Sequence, residues 1–166
     1  MQLPYRKPGK YSRMTNDPLM TQAKFDEISQ KLERLKKSQP AAAKEVSRLA
    51  ELGDFSENVE YQLAKGRLRA INDNIFRLEN QLQHAEIIAP TGKGERVQLG
   101  NTVTIVSQEG KMKTYQILGS TESDPQKGII SHNSPFGAAL IGKKVGDTVK
   151  IVLANKEVEY TITQVE

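Results

Sequence analysis

Two apolar seams, each stepping alternately by three and four residues, constrain this chain more than any other feature. The first runs through Phe25, Ile28, Leu32, Leu35, Gln39, Ala42, Val46 and Leu49, with only Gln39 polar. The second runs through Tyr61, Ala64, Leu68, Ile71, Ile75, Leu78, Leu82 and Ala85. Heptad spacing puts one apolar stripe on each helix, and two stripes joined at Gly53 predict an antiparallel coiled-coil hairpin over residues 20–89. Thr21 is placed to cap the first helix. Arms of roughly 30 residues at a 1.5 Å rise make a rod of roughly 45 Å. A rod buries only one stripe per helix, so its length is poor economy for a core and points to reach. Pro40 lies inside the first seam and removes a backbone donor, so a kink or short break is expected there.

Past Ile87 the periodicity changes. Pro90, Gly92 and Gly94 mark residues 90–96 as a linker. Residues 97–106, 114–118, 128–131, 148–153 and 158–165 are rich in Val, Ile, Thr and Tyr and read as strands. Turn signals separate them: Glu109-Gly110, Asp124-Pro125, Ser134-Pro135-Phe136-Gly137 and Gly146-Asp147. Ala138 to Ile141 fits one short helix before Gly142. The fold class is therefore α+β: a long helical hairpin, then a small, mainly antiparallel sheet domain over 97–166. Residues 1–19, with Pro4, Pro8, Pro18 and Gly9 among basic and polar side chains, read as a flexible basic arm.

Composition removes several classes of chemistry. With no Cys in 166 residues, disulfides, thiolate metal sites and thiol nucleophiles are excluded. No stretch approaches the roughly 20 apolar residues that span a bilayer, and the basic N-terminus has no apolar run behind it. The chain is expected to be soluble and cytoplasmic, with no membrane partner. Its net charge is +4, but residues 1–20 carry four basic side chains and one acidic, so most of the excess sits in the arm. Contact with nucleic acid must therefore come from local patches. His84 and His132 fall in different domains without triad or ligand spacing. Gly92-Lys93-Gly94 lacks the strand-to-helix setting of a phosphate loop.

The hairpin tip, Gly53-Asp54-Phe55-Ser56-Glu57-Asn58, is where chemistry remains possible. Asp54 and Glu57 have the spacing of a capping box, with Asp54 opening the second helix. The same spacing puts two carboxylates at the end of a rod, where they can enter a remote site together. Two carboxylates bind Mg²⁺ only weakly, because the ion takes six oxygen ligands and keeps its waters. They could complete a site whose other ligands belong to a partner and help activate a water there. Nearby, Lys65 and Arg69 share a face with Arg67 beside them, and Lys36, Lys37, Lys44 and Arg48 line the first arm. These residues read either as a solvated, Glu/Lys-paired coiled-coil face or as a strip that contacts phosphates.

The tip segment, continued by Val59-Glu60-Tyr61 and Ala64-Lys65, resembles the signature of the bacterial Gre transcript-cleavage factors. A second stretch, Ser134-Pro135-Phe136-Gly137-Ala138-Ala139-Leu140-Ile141-Gly142-Lys143, resembles that family's C-terminal signature. Pro40 falls where the family has a proline before its tip. The resemblance implies a coiled coil entering the secondary channel of bacterial RNA polymerase, and an FKBP-like C-terminal domain docking on the channel rim through Ser134 and Pro135. It implies that Asp54 and Glu57 hold an Mg²⁺ shared with the polymerase, and that no cofactor is tightly bound. Ser56, Asn58, Lys65, Arg67, Arg69 and Arg48 are the expected contacts to the polymerase or to the 3′ end of backtracked RNA, with the factor acting as a monomer. In this reading the protein is not itself an enzyme. The main alternative is a Gre paralogue that occupies the channel and regulates or inhibits the polymerase without cleavage. Prolyl isomerisation, suggested by an FKBP-like half, wants an aromatic-lined pocket, for which residues 97–166 offer Tyr115, Phe136 and Tyr160.

Overall fold

The computed structural model of the chain describes residues 17–53, 58–89, 91–154 and 156–166. They form two compact units, residues 20–87 and residues 17–19 with 88–166. In the first, helix α1 (Gln22–Glu51) starts at Thr21, whose side chain accepts from the Lys24 backbone N–H. It passes through Pro40 without interruption, so of the kink or short break expected there the break does not form. Proline removes one backbone bond and crowds one carbonyl, and here the helical turns on both sides are held by the seam. The helix ends at Glu51, and Gly53 takes a φ of +103°, a conformation that favours glycine.

Helix α2 (Val59–Gln83) is capped by Asn58, whose side-chain oxygen accepts from the Tyr61 N–H at 3.2 Å. This corrects the expectation that Asp54 opens the second helix. Asn is as good a cap as Asp, and four residues further on it is the one in use. Strands β1 (Leu19–Met20) and β2 (Glu86–Ile87), which the sequence did not announce, pair with each other.

The hairpin core is unevenly distributed. Met20, Ile28, Leu32, Ile75 and Leu78 form one buried cluster, edged by Phe25, Leu35, Ile71, Leu82 and Ala85. Among the described residues towards the end of the hairpin, only Leu49 and Ala64 are buried. Between these regions polar pairs cross from helix to helix. Gln39, the one polar member of its seam, donates to the Asn72 side chain at 2.6 Å, and Lys36 meets Glu79 at 2.7 Å. A polar pair at a seam position specifies register more than it adds stability.

The second unit holds a five-stranded sheet in the order β5-β4-β3-β7-β6. Its strands are β3 (Thr102–Ser107), β4 (Met112–Leu118), β5 (Ile129–Ser131), β6 (Thr148–Leu153) and β7 (Lys156–Val165). All pairings are antiparallel except β4 with β5, which is parallel. The sheet is thus mixed, not purely antiparallel. A short helix α3 (Pro135–Leu140) lies between β5 and β6.

Strand alternation buries Val103 and Ile105 of β3 opposite Val165 and Ile162 of β7, with Tyr160 buried two residues before Ile162. The register then shifts between Thr104 and Ile105, leaving Thr163 as an extra residue in β7. That bulge moves the inward phase by one, so that Val165 also faces the core.

The first strand expected in this unit does not run from Val97. A turn at Gly100-Asn101 separates Val97 from β3, with Gly100 at a φ of +97°. Asn101 is 1% exposed and occupies the centre of this turn. Its carbonyl oxygen accepts from Gln98 N–H at 2.7 Å, and its amide donates to the backbone oxygens of Glu166 at 3.0 Å and Gly92 at 3.4 Å. Arg96 also donates to the Gly142 carbonyl and pairs in a bridge with Lys144. Gly92 and Arg96, inside the segment expected as a linker, thus make hydrogen bonds within the sheet unit. Asn101→Ala removes the three bonds that the side chain makes to Gln98, Glu166 and Gly92, and is expected to destabilise this unit by about 3 kcal/mol in denaturant unfolding, at about 1 kcal/mol for each bond.

Candidate functional site

Asp54, Ser56 and Glu57 lie outside the described residues, so the site is built from the helices that bracket them. On α1, Arg48 grips Glu45 with two bonds, Nε to Oε2 at 3.0 Å and Nη2 to Oε1 at 2.8 Å. The bond from Arg48 holds the Glu45 carboxyl below its usual range, and the charge of Arg67 on α2 adds to this. In return Glu45 raises Arg48, with Glu60 of α2 contributing. Arg48, expected as a basic contact, is thus already engaged by a carboxylate that the sequence reading did not single out. An i,i+3 spacing on one helix was the available signal.

Lys65, Arg67 and Arg69 are exposed on α2. The Lys65 ammonium stands 5.9 Å from the centre of the Tyr61 ring, at the outer edge of a cation–π contact. Asn58, expected as a contact, spends its side-chain oxygen on the helix cap. The exposed surface near the turn also carries Leu52, Val59 and Leu63. Among the described residues no group of three or more His, Asp or Glu could hold a metal.

The second signature, residues 134–143, organises α3. The Ser134 hydroxyl accepts from Gly137 N–H at 3.0 Å and donates to the Ser131 carbonyl at 2.6 Å. Pro135 takes the first helical position, where a missing N–H costs nothing. Phe136 lies between Tyr115 and Tyr160, with ring centres 5.3 and 5.5 Å away. The three aromatics considered for an isomerase pocket therefore spend their faces on each other at the edge of the core. Gly137 is buried because a Cβ there would collide with the Ser131 carbonyl oxygen. Leu140 is fully buried below it. Ser134 thus has a structural task, and Pro135 is the exposed member of the expected docking pair.

A helical hairpin with a short turn, followed by a sheet unit carrying this capped helix, defines a class of two-part proteins, and comparison with known proteins identifies it. Residues 18–87 match the model described as transcription elongation factor, N-terminal, and residues 91–166 match transcription elongation factor, GreA/GreB, C-term. The chain belongs to the GreA/GreB family of transcription elongation factors. It is 45% identical over 138 residues to transcription elongation factor GreA of Staphylococcus saprophyticus, covering 82% of this chain and 87% of that one. It is 36% identical over 143 residues to GreA of Sphingopyxis alaskensis, covering 86% and 90%. Among solved structures, that of the transcription factor Gfh1 is similar at 27% identity, covering 89% of this chain and 96% of that one, with a TM-score of 0.42.

Proposed function

We propose that this chain inserts its helical hairpin into the secondary channel of bacterial RNA polymerase and stimulates the polymerase to cleave backtracked RNA. The observation that carries this reading is that both halves match the GreA/GreB models in order while the turn between α1 and α2 retains Asp54 and Glu57. Their carboxylate oxygens are hard donors that suit Mg²⁺ and fill part of its six positions. A shared Mg²⁺ would supply charge to polarise a water and steady the cleaved phosphate.

The chain's own residues do the rest. The hairpin provides reach, and the exposed Lys65, Arg67 and Arg69 are free to meet RNA phosphates, with Ser56 near them in sequence. Arg48 spends two of its five N–H donors on Glu45 and keeps the others for phosphate. The sheet unit docks at the channel rim, and the factor works as a cytoplasmic monomer while the polymerase remains the catalyst. No helix among the described residues is long and apolar enough to cross a membrane.

The test uses the wild-type chain and stalled elongation complexes holding end-labelled backtracked RNA. Mg²⁺-dependent release of 3′ fragments, faster than from polymerase alone, is the expected result. Binding without faster cleavage would overturn the proposal in favour of a channel-occupying regulator.

A further inference from the structure

Asp17 stands two residues before β1, outside both signatures, yet its side chain is only 8% exposed. One carboxylate oxygen accepts from Leu19 N–H at 3.1 Å. The other accepts from Ser120 N–H at 2.7 Å and lies 3.5 Å from His132 Nδ1. Burial alone would push this carboxyl up, but the bonds from Ser120 and Leu19, with His132, hold it below its usual value. The seat is shaped for this segment, since a Cβ on Gly119 would collide with the Leu19 carbonyl oxygen.

A carboxylate can only accept, and Asp17 takes the Ser120 backbone N–H. The Ser120 hydroxyl in turn pairs with the Ser131 hydroxyl, 2.8 Å away. Ser131 Oγ also accepts from Asn133 N–H at 3.1 Å. The Ser131 carbonyl takes the Ser134 hydroxyl, and Ser134 caps α3. A chain of hydrogen bonds therefore runs from Asp17 through Ser120 into the loop that carries Ser134 and Pro135. His132 forms a second arm, with Nδ1 also 3.4 Å from the Leu118 carbonyl.

We infer that Asp17 is a positioning residue which, through Ser120, Ser131 and His132, sets the loop of residues 131–135 for docking on the polymerase. This rests on the reading above that Ser134 and Pro135 belong to the docking surface. Chained hydrogen bonds reinforce one another, so removing the acceptor at the head releases the Ser120 backbone N–H and lets Ser120, with the loop paired to its hydroxyl, shift.

The test compares full-length wild type, Asp17→Ala and Ser120→Ala. Both variants are expected to move the amide signals of Asn133 and Ser134 in nitrogen-15 NMR spectra while the β6 and β7 signals stay in place. Both should weaken polymerase binding by roughly tenfold, with the cleavage rate at saturating factor unchanged. That split separates loop placement from general loss of fold, which would collapse the dispersion of the whole spectrum. Unmoved loop amides would overturn the positioning role, and moved amides with unchanged affinity would overturn its link to docking. A wild-type chain that fails to bind polymerase would sink the functional reading and the docking link together, while the amide shifts would still decide the positioning.

Discussion

With Asp54→Asn and Glu57→Gln combined, stimulated RNA cleavage is expected to fall on the order of 100-fold or more while polymerase binding stays near wild type. The magnitude follows from removing charge that acts where the transition state develops its own. An amide keeps the size of a carboxylate but loses its negative charge, and it is a poor ligand for a hard divalent cation. The substitutions should spare the hairpin for two reasons. The described start of α2 is capped by Asn58, not by Asp54. In addition, Asn and Gln are acceptable in the capping positions the acids could occupy. Single-turnover cleavage, measured beside a binding titration, separates the two effects. Full stimulation by the double variant would remove the metal-site reading and leave the acids as caps alone.

Gly137→Ala should be among the most damaging single substitutions in the sheet unit. The added Cβ would lie 2.8 Å from the His132 Cα and 2.9 Å from the Ser131 carbonyl carbon, in addition to colliding with the Ser131 oxygen. All three are backbone atoms at the end of β5, so no side chain can swing aside. The remaining escape is for α3 to lift, which opens the packing of Leu140 and Phe136 against the core. Overpacking of this kind costs about 3 kcal/mol or more. For a unit of this size that corresponds to a melting transition lowered by roughly 12–24 °C. A transition within a few degrees of wild type would show that α3 is not held at this contact.

The features legible in the sequence were those set by neighbours along the chain. Helical seams repeat every three or four residues, so the hairpin, the Thr21 cap and the stop at Gly53 could be read locally. Five β-rich runs likewise marked the strands. Their boundaries were less secure, because a turn such as Gly100-Asn101 inside an apolar run differs little from a strand by composition. The acids at the turn and the basic residues of α2 were visible as residue types, but Arg48 could not be seen to be engaged by Glu45 until side chains were in place.

Contacts between distant residues belonged to the tertiary structure. The parallel pairing of β4 with β5, the bulge at Thr163 and the role of Asn101 each depend on which strand lies alongside, and no local pattern encodes that. At Pro40 the short break did not form, since an α-helix of 30 residues tolerates the loss of one backbone bond. Asp17 is the clearest case. By sequence it is one acid in a basic, proline-containing arm, and its partner Ser120 lies 103 positions away. Local periodicity determined that this chain makes a rod and a small sheet. Long-range hydrogen bonds and close backbone contact decided how the sheet unit holds its loop, because those energies exist only once the folded chain brings the groups together.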